Sequence, residues 1–362
     1  MQGKIIKGIA GFYYVYVRGR GIYECKARGA FRRKKIRPMV GDAVDIEITD
    51  PLDAEGNIRA IMDRKSRLIR PAVANVDQAL VIFSASQPKP NFNLLDRFLV
   101  MMEQAQLPTT ILVNKVDLVD EEALERIRGI YAASGYPLHF MSAKEDIGID
   151  EIRRQLSGKT TTVAGPSGVG KSSLINCLQS AAHMQTGRIS VKLGRGRHTT
   201  RHSELIPLRE SPYHRGDPKT GASASSGTCD GSQGQTGQRE KEKREDFPVN
   251  THFIEDASRV LAEISPAAMR EEIRDMYQGA GGFIVDTPGF SSLYVPDFEK
   301  EDLAFFFPEF LPYMSACKFQ PCTHIHEPGC AVQSALSDGK ISQSRYDSYL
   351  QMYTELAERR RY

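Results

Sequence analysis

Two loop motifs in this 362-residue chain stand in an order that constrains every fold it can adopt. Asn114-Lys115-Val116-Asp117 comes first. Gly165-Pro166-Ser167-Gly168-Val169-Gly170-Lys171-Ser172, continued by Ser173, comes later and fits G-x-x-x-x-G-K-S. Each follows a short apolar, β-branched run, Thr109 to Val113 and Thr160 to Ala164, that reads as a buried strand. Beyond the glycine loop, Ser172 to Leu178 spaces its apolar residues as a helix does. Strand, glycine loop and helix together aim backbone N–H groups at a phosphate, with the helix dipole assisting.

The residue chemistry narrows the ligand. A carboxylate at Asp117 accepts two hydrogen bonds from the ring N–H and exocyclic amine of guanine, and adenine offers no such pair. Lys115 can lay its stem over the base, and Asn114 can tie its loop to the glycine loop. Alone, these four residues also suit a solvated turn. Ser142-Ala143-Lys144, after the strand-like Leu138 to Met141, adds a second loop whose backbone N–H can meet the guanine oxygen. Lys171 reaches toward β- and γ-phosphates, and Ser172 offers a hydroxyl to magnesium. Asp286-Thr287-Pro288-Gly289 ends another strand-like run, Gly282 to Val285. There Asp286 can hold magnesium through water and Gly289 can donate its N–H to a γ-phosphate.

A second chemistry lies near the C-terminus. Cys317, Cys322, His324 and Cys330 stand as C-x4-C-x-H-x5-C, three thiolates and an imidazole, which makes a closed tetrahedral zinc set with no position left for water. Spacing alone leaves His326 as a competitor for His324. Cys25, Cys177 and Cys229 are isolated, and no signal peptide or membrane-length apolar run is present. A reducing cytoplasm is the expected setting.

Charge is uneven. The first seventy residues hold sixteen Lys and Arg against eight Asp and Glu, a net +8 in a chain of net +3. Short strands are predicted there, with Gly11 to Val17 and Gly21 to Ala27 paired around Arg18-Gly19-Arg20, then Ala43 to Ile48 and Asn57 to Met62. Several short strands in that length suit a small β-barrel, with the OB-fold the natural candidate. Arg28, Arg32, Arg33, Lys34, Lys35 and Arg37 form a dense basic loop that would gain affinity for RNA phosphates by releasing counterions. Tyr13, Tyr14 and Tyr16 are expected in the barrel core.

The order guanine reader, Ser-Ala-Lys, phosphate loop, Asp-Thr-Pro-Gly resembles that of the circularly permuted GTPases. With the downstream Cys–His cluster, it is similar to the RsgA family (also called YjeQ or EngC) of small ribosomal subunit biogenesis GTPases. The resemblance implies a multidomain chain: an N-terminal OB-fold β-barrel, a circularly permuted α/β P-loop GTPase domain and a C-terminal helical zinc-binding domain. The expected boundaries are 1–70, 71–296 and 297–362. It favours His324 as the zinc ligand, places Thr199 or Thr200 in the magnesium shell, and supplies the 30S subunit and its 16S rRNA as partners during late maturation.

Ras-like enzymes orient the attacking water with a glutamine that Phe290 replaces here. Intrinsic hydrolysis should then be slow and ribosome-stimulated, with His198 the internal candidate for orienting water. The permutation joins the second switch to the zinc domain, so loss of the γ-phosphate is expected to re-aim that domain. Residues 209–249 are polar and poor in apolar side chains and are expected to be disordered. No heptad is evident, so a monomer is expected. A nucleotide-gated RNA-binding scaffold and a zinc-handling GTPase are the alternative functions; Asp117 argues against an ATPase.

Overall fold

A computed structural model of the chain describes residues 1–9, 11–27, 31, 36–50, 54–68, 72–180, 204–209, 277, 280–286 and 298–359. Five strands, β1 (Gln2–Ile9), β2 (Phe12–Val17), β3 (Gly21–Ala27), β4 (Ala43–Asp50) and β5 (Glu55–Ile61), close into a barrel of order β1-β2-β3-β5-β4. Alternation explains its inside. Val15 and Val17 point inward with Ile5, Cys25, Val44, Ile46 and Ile58, all buried. Tyr13, Tyr14 and Tyr16 are half-exposed rather than core residues. Small inward β-branched side chains already fill so narrow a barrel, and the tyrosines stay on its flank. Tyr16 there meets Tyr277 and Phe283, ring centroids 5.5 and 6.5 Å away.

The segment after the barrel is packed. Two short strands, β6 (Arg67–Leu68) and β7 (Val73–Ala74), pair antiparallel, and Val73 and Ala74 are fully buried. Asn75, at φ +55°, donates from Nδ2 to Gly41 O (3.0 Å) and accepts Lys65 N–H at Oδ1 (2.8 Å).

The second sheet has the order β10-β9-β8-β11-β13-β12. It comprises β8 (Gln78–Ser84), β9 (Thr109–Asn114), β10 (Leu138–Met141), β11 (Thr160–Ala164), β12 (Leu205–Arg209) and β13 (Ala280–Asp286). All neighbours run parallel except β12, which closes one edge antiparallel. Every residue of β8, β9 and β11 is buried, as expected of parallel strands covered on both faces. Arg209, the first residue of the segment expected to be disordered, is the last of β12 and pairs with Ala280; residues 210–249 lie outside the described residues.

Helices α1 (Phe92–Gln104), α2 (Glu121–Tyr131), α3 (Ile149–Leu156) and α4 (Lys171–Ser180) flank this sheet. Asn91 and Asp120 cap α1 and α2 through backbone N–H groups three residues on. Leu80, Ile82, Leu112, Ile152, Leu156, Leu174 and Ile284 form the core under α3 and α4.

The C-terminal segment is helical, with a 3-10 turn at Lys300–Phe306, then α5 (Leu311–Met314), α6 (Ala331–Ser337) and α7 (Gln343–Arg359). Its core of Leu303, Phe307, Phe310, Val332, Tyr349, Met352 and Leu356 includes Val100 of α1. Arg345 of α7 is 1% exposed. Its guanidinium donates to Asp96 Oδ1 on α1 (2.6 Å) and to both carboxylate oxygens of Glu309 (2.6 and 3.1 Å). It also lies 4.7 Å from the Phe307 ring centroid. Burial works against its charge, but the two carboxylates hold it protonated. No helix among the described residues is long and apolar enough to cross a membrane.

Candidate nucleotide site and metal centre

Because β9, β10, β11 and β13 run parallel, the three loops that follow β9, β10 and β11 emerge at one edge of the sheet, where open α/β sheets bind ligands, and β13 ends at the same edge with Asp286. Asn114, 2% exposed at the end of β9, is the junction. Its Nδ2 donates to Val169 O in the glycine loop (2.8 Å). Its Oδ1 accepts from Lys115 N (2.8 Å) and from Ala143 N (3.1 Å). One amide thus joins three loops whose residues are far apart in sequence.

The glycines are required by contact. A Cβ at Gly170, whose φ is +101°, would stand 2.2 Å from Asn114 Nδ2. A Cβ at Gly165 would stand 2.1 Å from Ile82 O, inside the neighbouring strand.

Several other expected residues stand around this junction. Lys115, at φ +66°, turns its side chain back so that Nζ reaches Gly168 O (3.0 Å) and Gln87 O. That leaves its stem lying along the loop. Ser142 is fully buried and donates to Asp117 Oδ1 (2.6 Å), fixing the carboxylate at the exposed mouth of the site. Lys144 is exposed and pairs with Glu145, which raises its pKa. Lys171 is buried and donates from Nζ to Gly165 O (2.8 Å) and Pro166 O (2.5 Å), curled over the loop it would share with phosphates. Ser172 and Ser173 follow it, exposed, in the first turn of α4.

Asp286 is described by its backbone, which pairs with Val163 and so ends β13 beside the strand that feeds the glycine loop. His198, Thr199, Thr200 and Gly289 lie outside the described residues, as do Arg28, Arg32, Arg33, Lys34 and Lys35. Arg37 is exposed, and its carbonyl accepts from Arg64 Nη2 (2.8 Å), whose guanidinium also holds Asp42.

Sequence reasoning missed one contact. Cys177, read as isolated, lies on α4 and donates its S–H to Ala143 O (3.1 Å), so α4 touches the Ser-Ala-Lys loop directly. Only the approach of α4 to that loop in the fold, not any motif, could have signalled it.

The metal set assembles as well. The ligand atoms of Cys317, Cys322, His324 and Cys330 lie within 4.8 Å of one another. Cys317 Sγ is 3.9 Å from Cys330 Sγ, and His324 Nδ1 is 3.6 and 3.4 Å from those two sulfurs. A tetrahedron with Zn–S near 2.3 Å and Zn–N near 2.0 Å has edges of roughly 3.5–3.8 Å, so this donor set fits zinc. His326 is exposed and outside the cluster, whereas His324 is 1% exposed. Burial keeps the His324 imidazole in its neutral form, the form that ligates. Burial also pushes the Cys322 thiol up to about 12, a preference that a bound cation inverts.

The loop carrying these ligands has hydrogen bonds of its own. Glu327 accepts Thr323 N–H (2.7 Å), Thr323 Oγ (2.6 Å), Ile325 N–H (3.1 Å) and His326 N–H (3.2 Å). Burial opposes ionisation of its carboxyl, but these donors outweigh it and hold it at about 2. From α7, Tyr346 and Tyr349 donate to His324 O and Thr323 O, both at 2.6 Å.

A parallel sheet with a phosphate loop after β11 and a guanine reader after β9, entered at β8, defines a circularly permuted P-loop GTPase. Residues 2–58 match the RsgA N-terminal domain and residues 61–213 the RsgA GTPase. The small ribosomal subunit biogenesis GTPase RsgA of Agathobacter rectalis is 46% identical over 372 residues, all of both chains. The chain belongs to the RsgA family of GTP-hydrolysing enzymes. RsgA of Alkaliphilus metalliredigens is 40% identical over 100% of this chain and 99% of its own. Among solved structures, YjeQ from Thermotoga maritima superposes with a TM-score of 0.67 at 29% identity, covering 98% of each chain. YloQ, described as a circularly permuted GTPase, gives 0.66 at 32% identity over 99% of this chain and 95% of its own.

Proposed function

We propose that this protein is a cytoplasmic GTPase that binds the 30S ribosomal subunit through 16S rRNA and assists its late maturation, with turnover stimulated by the subunit. Its sharpest structural support is the Asn114 junction, which holds a guanine-reading loop, a Ser-Ala-Lys loop and a phosphate loop at one sheet edge. The curated relatives, named for small-subunit biogenesis, supply the biological setting.

In this reading Asp117, steadied by Ser142, takes the guanine N–H groups. Lys115 covers the base, and Ala143 or Lys144 faces its oxygen. Residues 165 to 173 cradle the phosphates, with Lys171 turning from the loop carbonyls to the β- and γ-oxygens. Ser172, Asp286 and Thr199 or Thr200 hold magnesium, whose chemistry is to neutralise charge on the phosphates. Gly289 senses the γ-phosphate and His198 orients water in place of the residue that Phe290 replaces. The barrel, with Arg28, Arg32, Arg33, Lys34, Lys35 and Arg37, grips rRNA. Zinc at Cys317, Cys322, His324 and Cys330 is structural, since four protein ligands close the shell. The chain acts as a monomer divided at about residues 70 and 296.

The test is GTP turnover by the purified protein alone and with 30S subunits, 50S subunits or free rRNA. Activation by 30S subunits alone is expected. Equal rates throughout would sink the partner assignment. Phe290 also favours a second reading, a nucleotide-gated RNA-binding scaffold in which hydrolysis is incidental. That reading gains if 30S binding is tight but turnover stays at the intrinsic rate.

A further inference from the structure

Between the metal ligands Cys317 and Cys322 the chain makes a tip, Lys318-Phe319-Gln320-Pro321, and all of its residues are exposed. Phe319 is 46% exposed. A lone exposed phenylalanine is ordinary; the way this one is held is not. Cys317, at one end of the tip, is buried in the metal cluster, and Cys322 ends the other side. Inside the tip, Lys318 N–H donates to Gly329 O (3.1 Å) and Gln320 Nε2 donates to Met314 O (3.3 Å). The Lys318 stem lies over Gly329, where an added Cβ would come within 3.2 Å of it, and its Nζ stands 5.5 Å from the Phe319 ring centroid. The tip is therefore fixed before anything binds, and a partner pays little ordering entropy to use it.

We infer that this tip contacts an unpaired RNA nucleotide, with Phe319 stacking on the base and Lys318 taking the adjoining phosphate. An aromatic face with a cation beside it serves both halves of a nucleotide, and any base has a face to stack. Its immediate neighbours in the tip are Lys318, Gln320 and Pro321, not the apolar cluster that a protein–protein contact of this size would need. The surrounding segment does not attract RNA diffusely. Residues 298–362 carry seven Lys and Arg against nine Asp and Glu, unlike the basic first seventy residues. A contact here must be local, which is what a stacking ring and one cation supply. The inference rests on the reading of the chain as a 30S-binding GTPase.

The experiment uses the full-length, zinc-loaded protein and measures 30S affinity, bound zinc and ribosome-free GTP turnover for Phe319→Ala, Phe319→Leu, Phe319→Tyr and Lys318→Ala. Phe319→Ala and Phe319→Leu should weaken 30S binding roughly tenfold or more, at unchanged zinc content and basal turnover. Phe319→Tyr should restore it. Lys318→Ala should weaken it by a smaller factor and lower the salt slope of binding by about one. Unchanged affinity for Phe319→Ala overturns the contact. Leucine serving as well as tyrosine also overturns it, because that would mark an apolar protein contact. Leucine and tyrosine keep the side chain's bulk, so their comparison stands even if the alanine variant loses zinc. Wild-type protein that binds GTP but not 30S subunits would overturn the partner reading together with this contact.

Discussion

Asn114 shows how one side chain can hold a ligand site together. Its amide bonds Val169 O in the glycine loop on one side, and on the other Lys115 N–H of its own loop and Ala143 N–H of the Ser-Ala-Lys loop. Such buried bonds contribute about 1 kcal/mol each, and more when a partner is left unpaired. Asn114→Ala should therefore weaken GDP binding by roughly 10- to 100-fold in calorimetric titration, while Gly170→Ala, which drives a Cβ into the same amide, should do at least as much. Affinities within twofold of wild type for both would remove the junction from the account. Asp117→Asn makes a different prediction. The amide offers a donor where the carboxylate offered an acceptor, so preference should move from GTP toward XTP, whose base carries an oxygen in place of the amine. The motifs made these residues visible in sequence. They could not show Cys177 reaching Ala143, because a single cysteine in a helix has no pattern to read.

The Cys–His loop and the helices around it should depend differently on a bound metal. Residues 298–359 have their own apolar core, in which Phe307, Phe310, Tyr349 and Met352 are fully or almost fully buried. Chelation should thus release protection in residues 317–330 while α7 keeps its slow amide exchange, a split that hydrogen exchange resolves. Loss of protection across α7 as well would mean the metal organises the whole segment. Glu327 adds a pH dependence. Its folded pKa, about 2, lies below the ordinary 4.5, so its stabilisation is present above about pH 4.5 and lost as pH falls toward 2. In chelated protein, Glu327→Gln should lower the melting temperature near neutral pH, and the difference from wild type should shrink as pH falls through that window. A constant difference would point to packing, not charge. Spacing alone named four ligands and a competitor. It did not reveal Glu327, whose role depends on the loop folding back around it.

Across the molecule, one buried cation joins the C-terminal helices to the GTPase sheet. Arg345 on α7 grips Asp96 on α1, and Tyr131 of α2 donates to the same Asp96 oxygen (3.1 Å). Burial pushes the Asp96 carboxyl up, against the pull of Arg345. Removing one partner leaves a buried charge, so Arg345→Ala should destabilise the protein by about 3–5 kcal/mol in denaturant unfolding. Replacing Arg345, Asp96 and Glu309 together by apolar residues of similar size should cost far less. Equal losses would show that packing around Arg345, not charge, is what matters. The same contact bears on the expected re-aiming of the zinc domain, which has to carry α1 along or break this pair. The barrel also contacts this sheet and its edge strand. Lys4 Nζ donates to Thr160 Oγ1 (3.0 Å), Lys7 pairs with Glu204 (3.0 Å), and Tyr16 packs on Tyr277 and Phe283.

The amino-acid sequence by itself determined the strands that end in motifs, the order of those motifs, a four-residue Cys–His set with one competing histidine, and the uneven charge. Those features depend on residue type and short spacing, which are local. Tertiary structure decided what depends on approach between distant segments: Asn114 joining three loops, and His324 buried in the metal cluster while His326 stays in solvent. It also made Arg345 a buried clamp on Asp96 and Glu309, and turned Tyr16 from an expected core residue into the barrel's seat on the sheet. Asn114 meets Val169 and Ala143, and Arg345 meets Asp96, across long stretches of chain, and which of two neighbouring histidines turns inward depends on how its loop folds, so only the folded chain's packing could choose them.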